Sequence, residues 1–287
     1  MGDMVTPTLT LNDGSDIPQI GLGTWKLGGE EAYRVVRTAI GLGYRHIDTA
    51  TLYGNEEEIG RALADAIAAG DATRDELFIT SKVWNSDQGA ERTPRAFQGS
   101  LRLLGLDYLD LYLVHWPCPQ QGLYDETFEA IARLQGLGQI QSIGVANFYP
   151  EVLEDLVRST GIVPAVNQVE LHPGFSQPDL RELHLRLGVT TTAWAPLGRG
   201  RVLDQPVIRA IAAEHGVGAG AVVLRWLLQL GCVAIPKSSN EQRLRANLDI
   251  SGFVLDEQQM RSITELDHSE IAGRMYQDPR DFPGQNP

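Results

Sequence analysis

The chain has 287 residues, a formal net charge of −13, and two cysteines, Cys118 and Cys232, that lie far apart. Its acidity argues against nucleic acids and anionic membranes as partners, because both attract basic surfaces. The cysteines form no disulfide framework, which favours a reducing compartment. No apolar run reaches the roughly 20 residues of a membrane span, and no signal peptide is visible at the N-terminus. We therefore expect a cytoplasmic protein.

The predicted elements begin with a β-hairpin that turns at Asn12-Asp13-Gly14. Short apolar runs then alternate with amphipathic segments of helical period. The runs predicted as strands are 20–23, 46–48, 77–80, 109–114, 142–145, 165–168, 190–194 and 232–235. The predicted helices are 31–42, 56–69, 94–104, 125–137, 150–158, 178–187, 207–215, 218–230 and 241–248, with an additional one at 257–266. Thr93 is expected to cap the helix at 94–104. Glycines lie just past several helix ends, where a left-handed residue is favoured: Gly70, Gly105, Gly138, Gly161 and Gly188.

Eight strands alternating with helices predict a parallel α/β sheet, which is either closed into a barrel or open and doubly wound. No linker composition marks a boundary, and eight β/α units fit the roughly 250 residues of a TIM barrel. We therefore predict a single (β/α)₈ barrel domain over residues 1–287. The hairpin, the helix at 257–266 and a loop-rich tail are additions to the barrel.

A glycine-rich segment at 216–221 fits the GxGxxA pattern of dinucleotide-binding loops. That pattern needs a preceding strand, and this segment follows a run of helical period. We therefore do not assign it to a phosphate-binding loop.

Four reactive side chains fall at or just after three neighbouring strand ends: Asp48, Tyr53, Lys82 and His115. In a TIM barrel, the active site lies at the carboxyl ends of the strands. A lysine ammonium is expected to lower the pKa of a nearby tyrosine, and a buried aspartate keeps that lysine charged. A histidine in the same place donates a hydrogen bond to a carbonyl oxygen. The set fits the polarisation and protonation of a carbonyl group.

Other interpretations of these residues stay open at this point. Asp48 could instead cap a helix, and Tyr53 could be an aromatic residue at the rim of the barrel. Lys82 could be a solvated surface residue. His46, Asp48 and His115 could ligate a metal ion in a barrel hydrolase. A protein of this fold without enzymatic activity is a further alternative.

Several segments together resemble the aldo-keto reductase family over essentially the whole chain. The matching segments are GLGTW at 21–25, HIDTA at 46–50, YGNE at 53–56, ITSKVW at 79–84, DLYLVHWP at 110–117, GVANF at 144–148, NQVELHP at 167–173 and IPKS at 235–238. The chain looks most similar to the prokaryotic branch that includes 2,5-diketo-D-gluconate reductase and methylglyoxal reductases. The tail at 275–282 is similar to the short C-terminus of that branch.

The resemblance implies an NADPH-dependent oxidoreductase without a metal ion, which transfers a hydride to the carbonyl carbon of aldehydes and ketones. Tyr53 would be the proton donor, Lys82 and Asp48 would tune it, and His115 would orient the substrate carbonyl.

The resemblance also implies which residues hold the cofactor. Asn147 and Gln168 would hold the nicotinamide carboxamide, and Trp194 would stack on the ring. Lys237 and Arg243 would supply a local basic patch for the 2′-phosphate, whereas Arg245 suits a solvated position better. The other cofactor residues would be Gly23, Thr24, Leu197, Gly198, Ser238 and Asn247. The chain departs from the family pattern at three positions, where Ala146, Ala195 and Ala246 replace polar residues.

The substrate pocket implied by the resemblance has aromatic walls made by Trp25, Trp84 and Trp116. The short tail suggests an open pocket for small aldehydes, dicarbonyls or keto sugars. We expect a monomer whose partner is a small-molecule carbonyl compound, with Cys118 near the pocket mouth as a bystander.

Overall fold

The computed structural model describes residues 7–282 and residue 284. Its first element is the predicted hairpin, in which β1 (Thr8–Thr10) pairs antiparallel with β2 (Asp16–Pro18). Leu11 and Ile17 next to this hairpin are buried in one cluster with Leu111 and Val233 of the sheet. The hairpin therefore covers the amino-terminal end of the sheet with apolar side chains.

Eight further strands form one sheet in which every neighbouring pair is parallel and consecutive in the chain. Most are buried throughout, as expected for strands covered on both faces. They are β3 (Leu22–Gly23), β4 (His46–Asp48), β5 (Phe78–Val83), β6 (Leu109–Val114), β7 (Ile140–Ala146), β8 (Val166–Glu170), β9 (Thr190–Trp194) and β10 (Val233–Ala234).

The first and last strands of this sheet meet and close it. Ile20 forms a parallel bridge with Ala234, and the Gly21 amide donates to the Ala234 carbonyl at 2.9 Å. The Gly23 amide donates to the carbonyl of Pro236 at 3.1 Å, which continues the same ladder. The predicted (β/α)₈ barrel is thus confirmed, and the open doubly wound alternative is wrong.

Helices cover the outside of the barrel and bury one face each against it. They are α1 (Gly29–Leu42), α2 (Glu56–Ala68), α3 (Arg92–Leu104), α4 (Tyr124–Gly136), α5 (Pro150–Thr160), α6 (Pro178–Leu187), α7 (Pro206–His215), α8 (Ala219–Gln229), α9 (Glu241–Leu248) and α10 (Glu257–Thr264). The glycine-rich segment at 216–221 follows α7 and includes the first turn of α8, so it follows a helix as predicted.

One helix start differs from its prediction. Thr93 was expected to cap α3 ahead of Pro94, but the helix already begins at Arg92. The first four N–H groups of a helix have no partner inside it, so proline fits anywhere in the first turn and does not fix the start. The Thr93 hydroxyl instead donates to the Asp87 carbonyl at 3.0 Å and holds the preceding loop.

Glycines make room for large side chains inside the barrel. A Cβ on Gly21 would lie 2.7 Å from Nδ1 of His46, and one on Gly144 would lie 2.6 Å from the Val166 carbonyl oxygen.

Among the described residues, no single helix has both the length and the apolarity of a membrane span. α7 and α8 meet that criterion only as a pair bent by 93°.

Candidate active site

A buried ion pair lies at the carboxyl ends of β4 and β5. Asp48 is the last residue of β4 and pairs in register with Thr80, and Lys82 lies two residues beyond Thr80 on β5. Side chains two residues apart on a strand share a face, so the register directs Asp48 and Lys82 to the same side. The Lys82 Nζ donates to Asp48 Oδ1 at 2.6 Å, and Lys82 is 0% exposed.

Other hydrogen bonds fix this pair in place. Lys82 Nζ also donates to the Thr49 carbonyl at 2.8 Å, and Asp48 Oδ2 accepts from the Gln168 side-chain amide at 2.7 Å. Burial lowers the pKa of Lys82, and the Asp48 carboxylate opposes that shift. A buried ion pair persists only when its hydrogen-bonding groups are satisfied in this way.

Tyr53 lies next to the ion pair, at the end of a single 3₁₀ turn, Thr51–Tyr53, that follows β4. The Thr51 hydroxyl donates to the Lys82 carbonyl at 2.8 Å, so this turn is tied to β5. Lys82 Nζ lies 5.3 Å from the centre of the Tyr53 ring. The pKa of Tyr53 is nevertheless raised well above 10.0, first by burial and then by the Asp48 charge. The net direction of the pKa shift is therefore opposite to the expected lowering, because burial dominates, and Tyr53 holds its proton at neutral pH.

His115 follows β6 directly and faces Tyr53, with 5.8 Å between the ring centres. Trp84 packs edge-on against the imidazole at 5.0 Å. Nδ1 is buried and has no hydrogen-bond partner among residues 7–282 and 284, which leaves Nε2 as the nitrogen that can reach the cavity. Burial and the Lys82 charge hold the pKa of His115 well below 6.5, so the ring is neutral.

A cavity of about 370 Å³ opens above these residues and brings most of the predicted site together. Lys82 lies behind Asp48 and Tyr53, and Gly198, Ser238, Arg243 and Asn247 lie outside the cavity lining. The predicted residues that line it are Gly23, Thr24, Trp25, Asp48, Tyr53, Trp84, His115, Trp116, Asn147, Gln168, Trp194, Leu197 and Lys237.

Asn147 holds one wall of the cavity together. Its backbone is left-handed (φ 62°), which is uncommon for a residue with a side chain. Its side-chain amide donates to the His115 carbonyl at 2.9 Å, and its oxygen accepts from Nε1 of Trp194 at 2.9 Å. The Asn147 amide thus orients the Trp194 indole, and it retains a second N–H for a ligand.

Of the two predicted cations, Lys237 lines the cavity and Arg243 lies in the first turn of α9. Lys237 and Arg243 are exposed, and the side chain of Asn240 caps α9 by accepting from the Arg243 amide at 3.0 Å. Arg245 instead lies 3.7 Å from Glu241 in an exposed pair, as expected for a solvated residue. A helix start with nearby cations is suited to binding an anion.

Sequence reasoning missed two more cations on the cavity wall, Lys26 and Arg199. The Lys26 Nζ lies 4.5 Å from the centre of the Trp25 ring. The Arg199 guanidinium lies 5.2 Å from the same ring and 5.7 Å from that of Tyr276. The sequence signal that could have identified them is their position: Lys26 follows Trp25, and Arg199 lies two residues after Leu197.

The C-terminal tail supplies two aromatic side chains that complete the cavity. The ring of Phe282 stacks on Trp116 with 4.2 Å between centres, and Tyr276 contacts Trp25 edge-on at 6.3 Å. Sequence reasoning placed the tail near the opening but named neither residue as part of the pocket. Cys118 is buried in the cluster of Trp84, Trp116 and Phe282.

The structure does not support the alternative of a metal-dependent hydrolase. Within the described part of the chain, no three His, Cys, Asp or Glu side chains are arranged to hold a metal ion. His46 instead lies within hydrogen-bonding distance of the Pro18 carbonyl at 3.3 Å and of the Thr80 hydroxyl at 3.1 Å.

Comparisons with known proteins agree with this geometry. A sequence profile of the Aldo/keto reductase family matches residues 19–268. An aldo-keto reductase of Mycobacterium sp. (strain JLS) is 50% identical over 279 residues, 97% of this chain and 99% of that protein.

Solved structures give the same result. A variant of the protein Gox0644 in complex with NADPH is 46% identical, with a TM-score of 0.91 over 97% of this chain and 99% of that one. An aldo-keto reductase of Bombyx mori in complex with NADP is 35% identical, with a TM-score of 0.88 over 97% and 98% of the two chains. The fold, the strand-end residues and these similarities lead to one conclusion: the chain belongs to the aldo/keto reductase family.

Proposed function

We propose that this protein is an NADPH-dependent oxidoreductase that reduces the aldehyde or keto group of small carbonyl compounds to an alcohol, with Tyr53 as the proton donor. The observation that carries the proposal is the buried Asp48–Lys82 ion pair beside Tyr53, with His115 facing the tyrosine across the cavity. Dicarbonyls and keto sugars are the substrate class that we favour.

The residues of the cavity and its rim fit a dinucleotide phosphate. NADPH is a polyanion, and this acidic chain places Lys26, Arg199 and Lys237 on the cavity wall, with Arg243 exposed in the first turn of α9. None of these four lies within 4.0 Å of a carboxylate in the part of the chain that the structure describes. Cations without acidic partners are available to bind phosphate groups.

Asn147, Gln168 and Trp194 lie near the catalytic side chains and fit the nicotinamide end. Each of the two amides uses one N–H inside the protein and retains the other for a carboxamide. Trp194 presents an indole whose orientation is fixed by Asn147. When bound, the nicotinamide supplies the hydride for the reduction.

The protein's own residues perform the acid catalysis. The raised pKa of Tyr53 keeps its hydroxyl protonated, so the proton is available for the carbonyl oxygen. The neutral His115 donates to the same oxygen from Nε2 when the hydrogen is on that nitrogen. As the proton leaves, the Lys82 ammonium stabilises the charge that develops on the Tyr53 oxygen.

The aromatic wall sets the size and polarity of the substrate. Trp25, Trp84 and Trp116 line a cavity of about 370 Å³, which the nicotinamide end of the cofactor would also occupy. The space that remains suits a small carbonyl compound. Apolar walls also exclude water, which strengthens the electrostatic interactions around the carbonyl group.

The proposal is tested by following the loss of NADPH absorbance with methylglyoxal, diketogluconate and 4-nitrobenzaldehyde, with NADH run in parallel. We expect turnover with NADPH on at least one of the three compounds. Absence of turnover on all of them, together with no quenching of tryptophan fluorescence by NADPH, would refute the proposal.

We expect Arg243→Ala to weaken NADPH binding by about tenfold or more, because it removes a charge-assisted hydrogen bond to phosphate. Binding of NADH, which lacks the 2′-phosphate, should hardly change. Titration of tryptophan fluorescence with each nucleotide measures both constants. Arg245→Ala is the matched control and should leave both unchanged, since Arg245 pairs with Glu241. Equal losses for the two nucleotides in Arg243→Ala would contradict the assignment.

A further inference from the structure

The C-terminal tail is held by the loop that follows β8. The Gly273 amide donates to the Gly174 carbonyl at 2.7 Å, and the Arg274 guanidinium lies 4.7 Å from the centre of the Phe175 ring. A Cβ on Gly174 would lie 2.9 Å from the Ile271 carbonyl oxygen, so only glycine permits this close approach. These contacts place the next residues of the tail over the end of β8.

Glu170, the last residue of β8, lies beneath this part of the tail. It is two residues beyond Gln168, so both side chains lie on the same face of the strand. Gln168 faces the cavity, whereas Glu170 is 0% exposed and does not line it. Glu170 is therefore a buried acidic residue next to the site that the acid catalysis proposed above does not use.

The Glu170 carboxylate is surrounded by polar groups, three of them from the tail. It accepts from the Met275 amide at 2.6 Å and from the Tyr276 amide at 3.3 Å. His172 Nε2 lies 3.2 Å from Oε1, and the Arg274 guanidinium lies 3.8 Å from Oε2. Two successive backbone amides bound to one carboxylate fix the position of the tail at 275–276.

The residue fixed in this way is an aromatic wall of the cavity. The ring of Tyr276 lies edge-on to Trp194 at 5.9 Å between centres, and 6.0 Å from Trp116. Tyr276 therefore lies between Trp194, the residue proposed to stack on the nicotinamide, and Trp116, a residue of the proposed substrate pocket. A shift of the tail would move Tyr276 and leave Asp48, Tyr53, Lys82 and His115 in place.

We infer that Glu170 is a positioning residue, which holds the tail so that Tyr276 packs on the substrate. This packing should contribute more to the binding of planar aromatic carbonyl compounds than to that of small aliphatic ones, because an aromatic ring offers more contact area. The inference rests on the proposed function for its substrate. The contact between Glu170 and the tail does not rest on the proposed function.

Glu170→Gln keeps the shape of the side chain and changes its hydrogen bonding. The amide has one acceptor oxygen, and its NH₂ group would face a donor of the tail. A buried donor left without an acceptor is costly, so the tail is expected to detach. We expect kcat/KM for 4-nitrobenzaldehyde to fall about tenfold relative to that for methylglyoxal. The fall should be in KM rather than kcat, because the catalytic residues do not move.

Anchoring is measured independently of activity by limited trypsin digestion. Detachment should expose the peptide bond after Arg274, and mass spectrometry then detects a C-terminal fragment that begins at Met275. We expect this cleavage to be at least about tenfold faster in Glu170→Gln than in the unchanged protein.

Glu151→Gln is the matched control, because the exposed Glu151 also contacts the tail, at 3.1 Å from Arg280. It should change neither the substrate ratio nor cleavage after Arg274. If Glu170→Gln lowers activity on both substrates equally and leaves Arg274 protected, the inference is wrong. Failure of the proposed function would be seen differently, as no turnover by the unchanged protein on any carbonyl compound.

Discussion

Tyr53→Phe is expected to lower kcat for carbonyl reduction by about 10²- to 10⁴-fold, the usual contribution of a general acid. The raised pKa of Tyr53 keeps its proton on the hydroxyl at neutral pH, and of the described residues that line the cavity, Tyr53 is the tyrosine that faces His115. Phenylalanine keeps the ring and its packing, so NADPH affinity should stay within about twofold of that of the unchanged protein. Single-turnover kinetics and a fluorescence titration measure the two quantities.

Tyr112→Phe provides the comparison for this variant. Tyr112 is a fully buried tyrosine on β6 that packs edge-on against Phe97 at 5.0 Å, away from the cavity. Removing its hydroxyl should leave kcat unchanged. A Tyr53→Phe protein that retains more than about a tenth of the turnover would show that another group donates the proton.

Lys82→Met is expected to cost about 3–5 kcal/mol of unfolding free energy, because it leaves the Asp48 carboxylate buried without its cation. It should also lower kcat by about 10²-fold or more, since no ammonium then stabilises charge on Tyr53. Urea denaturation and the NADPH assay measure the two effects separately.

The double variant Asp48→Asn, Lys82→Met separates folding from catalysis. It removes both charges, so most of the lost stability should return, whereas turnover should stay low. A double variant that is both stable and active would show that the ion pair serves folding alone. If Lys82→Met has the same unfolding free energy as the unchanged protein, then Asp48 and Lys82 do not form the buried ion pair described above.

The sequence predicted the fold well because its signals are local. Eight apolar runs punctuated by helix-ending glycines determine the order of the elements, and length then favours a closed barrel. Helix starts were less certain: Pro94 fits several positions of a first turn, so Thr93 was misassigned. Closure itself depends on Ile20 and Ala234, whose pairing has no signal in the sequence.

The site was predictable in so far as it lies at strand ends. Asp48, Lys82 and His115 each follow an apolar run, and parallel strands bring such ends together. The direction of the Tyr53 pKa was not predictable, because the sequence shows a nearby lysine and does not show how deeply the tyrosine is buried. Tyr276 and Glu170 were missed because they meet across about 100 residues of chain, and nothing in the sequence signals that pairing.

Closure of the barrel by its first and last strands also constrains synthesis and folding. The Gln19 side chain donates to the Cys232 carbonyl across 213 residues of sequence. A ribosome that has made the first seven parallel strands therefore holds a sheet with two open edges, which are prone to association with other chains. The last strand and the tail must emerge before the ring closes and the cavity gains Tyr276 and Phe282. The nascent chain thus completes the wall of this cavity only after residues 276–282 have been made.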